Sequence, residues 1–208
     1  MFSDLSLQDF LTNRGMDLQV KQGAETFLRE RFNANPKYSF NNADIMIDHS
    51  IDVMNIAIEL SKDYPQADIT VILLGALFHD IGKTANEAPE VLKAQHAQFN
   101  WDIANKFLST LGLTAVQLEK LKNILFENPE TINSCIEQKI VKEADKVAFV
   151  TDDGLQTAFY SWAEGLVVGN GKVELQRKLD KVKTLELPRA KEIVGKYSEI
   201  MRSKWKLV

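Results

Sequence analysis

Residues 69–78, ITVILLGALF, carry no charge and run directly into His79 and Asp80. A stretch this apolar has to be buried in any soluble fold, and it falls short of the roughly 18–20 residues that cross a bilayer. Its β-branched content leaves a strand open on pattern alone. Its length, its Ala-Leu-Phe end and the helical patterns on either side favour a buried helix. The difficulty lies at its end. An ionised carboxylate at the edge of an apolar core costs on the order of several kcal/mol unless a cation or a metal offsets the lost hydration. Asp80 therefore needs a partner.

The flanking sequence marks helices by their starts and stops. Asn42 is placed to cap a long helix that carries His49, with Ile47, Ile51, Met54 and Ile58 at helical spacing and Pro65 beyond its end. Pro89 suits the first turn of a helix that passes through His96 and closes on Gly112. Capping boxes at Thr114–Gln117 and Ser134–Glu137 open two more, the second containing Asp145. Beyond the GNG turn at 169–171 come two amphipathic helices, the last repeating Ile193, Tyr197, Met201 and Trp205 every four residues. No alternating pattern long enough for a sheet strand, no internal repeat and no Gly/Ser linker interrupts this, so the chain reads as all-α. At 208 residues it suits one domain with a sizeable core.

Composition narrows the class. Hydrophobic residues at 45% and charged residues at 26% are those of a globular protein. The single cysteine, Cys135, excludes an internal disulfide and any cysteine-rich zinc or iron–sulfur site. The net charge of −4 speaks against a nucleic-acid polymer as partner, although residues 172–208 hold eleven Lys or Arg against five Asp or Glu, +6, which leaves −10 for the remainder. The start, MFSDLSLQDF, lacks a basic region followed by an apolar one, and the expected location is the cytoplasm. The basic C-terminal helix with Trp205 is expected to dock on the bundle, without membrane contact.

All three histidines, His49, His79 and His96, fall in the first half of the chain, each on or at the end of an apolar helix. Imidazole and carboxylate together make a mixed N/O set suited to Mn, Fe, Co, Ni or Zn more than to calcium. Adjacent helical residues diverge by about 100°, so His79 and Asp80 can share an ion only where the helix ends. Gly82 permits such an end. The order His49, then HDIGK at 79–83, then Asp145 within KEADKVAFV resembles the HD-domain superfamily of metal-dependent phosphohydrolases, whose signature is H…HD…D. The likeness covers residues 43–151 and is most specific over LLGALFHDIGK.

That resemblance implies an all-helical HD bundle over 43–151, with N-terminal helices in 1–42 and C-terminal helices in 152–208 forming one domain with it. It implies one divalent ion, Mn, Fe, Co, Ni, Zn or Mg, on His49, His79, Asp80 and Asp145. The expected substrate is a small phosphorylated molecule, a nucleotide in many relatives, hydrolysed by a metal-activated water. Asp80 would also orient the water, Lys83 neutralise the substrate phosphate, and His96 donate to it or protonate the leaving group. Relatives with two metals carry further histidines, among them an HH pair where this chain reads ILFENPE, so a single ion is expected with His96 lining the substrate pocket, ahead of a second metal, for which Glu127 would be a substitute oxygen ligand, or a diiron oxygenase role. The alternatives are a catalytically silent HD module that binds a nucleotide or a protein, and a helical interaction protein with a structural metal. An oligomer is compatible with either. The carboxylates in VTDDGLQ, 150–156, read as a cap or turn. Trp101, Phe159, Tyr160 and Trp162 read as core, with an aromatic near the metal able to stack on a base.

Overall fold

The apolar run is a helix, α3 (Ile69–Phe78), and nine of its ten residues are buried. A helix that is hydrophobic all round belongs at the centre of a bundle, and that placement overrides the strand preference of its β-branched residues. Asp68 starts it by accepting from the amides of Thr70 and Val71 at 3.0 and 3.2 Å. The computed structural model describes residues 9, 11–14, 17–36, 42–126, 135–166 and 170–208. Before α3 come α1 (Leu18–Ala34) and α2 (Ala43–Ser61); after it come α4 (Pro89–Leu108), α5 (Ala115–Phe126), α6 (Ile136–Thr151), α7 (Asp153–Leu166), α8 (Gly171–Lys181) and α9 (Pro188–Trp205). Short 3-10 turns span Ile81–Thr84 and Val182–Thr184. Among the described residues there is no strand, and the fold is all-α as read from the sequence.

α1, α2, α5 and α6 pack around α3. The start signals act as expected at Asn42, whose side chain accepts from Asp44, and at Thr114, whose hydroxyl and backbone exchange bonds with Gln117. Pro89 occupies the first turn of α4, and Gly112 takes the left-handed φ of 63° that reverses the chain after it. Of the second capping box, Ser134 lies outside the described residues. Its Glu137 is buried and accepts from the Asp68 amide at 2.9 Å and from Lys120 at 2.7 Å, tying the starts of α6 and α3 together.

A second apolar cluster, Phe149, Val150, Leu155, Leu175, Leu179 and Met201, joins the end of α6 to α7, α8 and α9. Tyr160 stacks on Trp205 at 4.9 Å, and the Trp205 indole donates to Gln156. Asp152 caps α7 through the Leu155 amide at 2.9 Å, the cap expected of VTDDGLQ. Buried Glu143 accepts from the amides of Glu186 and Leu187, fixing the approach to α9. The four-residue stripe on α9 is only partly inward: Met201 is buried, while Tyr197 and its neighbour Ile200 are exposed. Four residues advance a helix by about 400°, so such a stripe drifts about 40° per step, and α9 turns from the main core to the second cluster along its length. No helix among the described residues is long and apolar enough to cross a membrane.

Candidate metal centre

Three elements converge below the end of α3. α2 supplies His49, α3 ends on His79, and α6 presents Asp145. His49 Nε2 lies 3.2 Å from Asp145 Oδ1, and His79 Nε2 lies 3.6 Å from the same oxygen. Ligand atoms of the three side chains all fall within 4.8 Å of one another. His79 Nδ1 sits 2.7 Å from the Ala76 carbonyl, which can only accept, so Nδ1 carries a proton and Nε2 is the nitrogen that offers a lone pair when the ring is neutral. That Nε2 is buried, with the carboxylates of Asp80 and Asp145 3.5 and 3.6 Å away. A buried imidazole lone pair facing a carboxylate and a second imidazole fits a divalent metal of the first transition row or zinc.

Asp80 stands beside the trio, its Oδ2 3.5 Å from His79 Nε2 and 4.0 Å from His49 Nε2. Lys83 Nζ meets the same oxygen at 2.5 Å, and His96 Nε2 approaches Oδ1 at 3.4 Å. Burial works against the Asp80 carboxylate, but Lys83, His79 and His96 outweigh it and hold it well below the ordinary carboxylate range. The partner that Asp80 requires is thus in the first place Lys83, a residue expected to meet substrate. Glu127 lies outside the described residues.

Residues 46–149, half of the chain, match the family model described as HD domain, and all four H…HD…D residues fall inside the match. The chain belongs to the HD-domain family. Comparison with curated proteins and with solved structures gives no match. HD domains bind divalent metals and are generally phosphohydrolases, with some catalytically inactive members.

The HD turn is held by a residue that sequence reasoning passed over. Asn100, buried on α4, accepts from the Gly82 amide at 2.6 Å and donates to the carbonyls of His79 and Leu125. It thereby fixes both sides of Asp80. Its signal in the sequence was slight: an amide in mid-helix, one turn after His96, where such residues are disfavoured unless they bond to backbone.

The HD site opens into a cavity of about 420 Å³ whose far wall comes from outside the matched segment, through Phe159 and Trp162 of α7 and Arg177, Lys178 and Lys181 of α8. The Lys178 ammonium lies 5.0 Å from the centre of the Phe149 ring and 5.4 Å from that of Phe159. Burial pushes Lys178 down, and Asp145 opposes that shift. Tyr160 packs with Trp205 and Trp101 packs against the main core, as expected, but Phe159 and Trp162 also face the site.

Without a cation the HD cluster favours a proton. Burial pulls the His79 imidazole down, yet the Asp80 and Asp145 carboxylates and the Ala76 carbonyl outweigh it and lift it from 6.5 to about 9. A group raised on folding contributes stability below its unfolded value and loses that contribution as pH climbs through its folded one. The metal-free protein is therefore expected to lose thermal stability as pH rises from 6.5 to about 9. The metal-loaded protein, whose His79 must be neutral to ligate, is expected to show no such decline. Unfolding midpoints across that range, with and without chelator, check this; parallel curves would contradict it.

Proposed function

We propose that this HD domain is a metal-dependent phosphohydrolase for a small phosphorylated molecule of the nucleotide class, with one divalent ion held by His49, His79, Asp80 and Asp145. The observation that carries the reading is the convergence of His49, His79 and Asp145, their ligand atoms within 4.8 Å of one another beside an open cavity, with the Ala76 carbonyl leaving Nε2 as the His79 nitrogen that faces the site. A divalent ion there supplies Lewis acidity, bringing the pKa of water toward neutrality and polarising a phosphoryl oxygen.

The chain's own groups do the rest. Asp80, kept ionised by Lys83, accepts a hydrogen bond from the attacking water and orients it. His96 bonds its Nδ1 to the Leu92 carbonyl and turns Nε2 toward Asp80 and the cavity. As the imidazolium, with both ring nitrogens protonated, it donates from Nε2 to a phosphoryl oxygen, or passes that proton to the leaving oxygen as the bond from water to phosphorus forms and the ester bond breaks. Phe159 and Trp162 give a base a surface on which to stack.

The test is elemental analysis of the purified protein followed by phosphate release from mono-, di- and cyclic nucleotides with Mn, Co, Ni or Mg. About one equivalent of metal and metal-dependent release are expected; stoichiometric metal with no release from any substrate would leave a binding module. Lys83→Ala sharpens the assignment. Because that ammonium supports the Asp80 carboxylate, kcat is expected to fall about 10–100-fold with KM little changed. A raised KM at normal kcat would instead assign Lys83 to substrate.

A further inference from the structure

Adjoining the proposed metal site is a smaller cavity of about 210 Å³ that shares His79, Asp145, Phe149, Lys178 and Lys181 with the larger one. Its walls are basic. Lys142 and Lys146, one turn apart on α6, line it together with Lys178 and Lys181, one turn apart on α8. Among the residues lining it, Asp145 is the one carboxylate, and His49 and His79 already engage it. Lys146 bonds the neutral Thr184 hydroxyl.

Like charges one helical turn apart repel, and an anion placed among four basic side chains around a small cavity offsets that repulsion. Of the carboxylates of α8, Glu174 pairs with Arg177 at the wall of the larger cavity and Asp180 pairs with Lys183. The excess of basic residues in 172–208 is therefore turned in part toward the site, beyond the end of the family match.

We infer that this lysine-lined arm receives a second phosphoryl group, so that the substrate is a phosphoanhydride, a nucleoside di- or triphosphate, in preference to a monophosphate. The inference rests on the proposed hydrolase reading and specifies its substrate. Water attacks the phosphorus held at His79, Asp80 and Asp145, and the bond to the bridging oxygen breaks with its electron pair left on that oxygen. The departing phosphate carries the charge into the lysine arm and the proton of water passes to solvent. The base lies against Phe159 and Trp162 in the larger cavity.

The test compares adenosine mono-, di- and triphosphate as substrates of the metal-loaded protein, with and without the double substitution Lys142→Gln and Lys178→Gln. The wild type is expected to favour the di- or triphosphate by at least about tenfold in kcat/KM, and the double variant to lose at least about tenfold of that preference while retaining its metal. Calorimetric binding of a methylene-bridged diphosphate analogue, against the monophosphate, reads the arm without turnover. Tighter analogue binding that the double variant abolishes supports the arm even if nothing is hydrolysed, in which case the hydrolase reading alone fails. Equal handling of mono- and diphosphates in both assays, or equal losses for both in the variant, overturns the inference.

Discussion

Gly82→Ala is expected to destabilise the fold by about 3 kcal/mol and to empty the metal site in the same step. A β-carbon at Gly82 would be driven into the backbone carbonyl of His96, and would stand 2.8 Å from both the amide nitrogen and the side-chain oxygen of Asn100. Neither neighbour is the free end of a flexible side chain. The His96 carbonyl belongs to α4, and Asn100 is pinned by bonds to Gly82, His79 and Leu125. The strain is relieved only if α4 moves off the turn, which leaves the buried His79 carbonyl and Gly82 amide without their partner, at about 1–3 kcal/mol each. Denaturant unfolding and metal content measure both consequences. A variant as stable as the wild type and equally loaded would show that α4 does not brace the HD turn.

Asp145→Ala is expected to weaken metal binding by about a hundredfold or more and to bring phosphate release to background. Asp145 is the group that both imidazoles face, at 3.2 Å from His49 and 3.6 Å from His79, so its loss removes the only carboxylate of the trio. Although burial opposes ionisation, His49 and His79 hold it well below the ordinary carboxylate range. At neutral pH it offers a charged oxygen, the form a metal requires. The substitution also removes one of the anions that lift His79, so the dependence of metal-free stability on pH should flatten alongside. Metal titration with a competing chelator gives the first result and thermal melts the second. Undiminished affinity would put the centre elsewhere.

Much of the architecture is written in short-range features. Asn42, Pro89 and Gly112 begin or end helices because caps and φ are local matters, and the wholly apolar 69–78 had one place to go. His49, His79 and Asp145 were legible as an ordered set, and folding brings them within ligand distance. What stayed hidden is what tertiary contact alone decides. Lys83 turns back to Asp80, one turn before it, where nothing in its type distinguishes that from a substrate contact. Asn100 serves a turn 18 residues away. Lys178 lies in a helix of ordinary amphipathic pattern, and only the packing of α8 against the end of α6 gives it an inward position. The α9 stripe failed to keep one face because that helix covers two apolar clusters in turn.

Glu137, at the opposite end of α6 from Asp145, has a hand in the spacing of the candidate metal site. It joins the beginnings of α3 and α6 through the Asp68 amide, and from that pin the two helices run as struts, about 15 Å and 12 Å long, to His79 and Asp145. Whatever tilts them at the pin alters the gap at their tips. The gap between His79 and Asp145 is thereby open to adjustment from the opposite end of both helices.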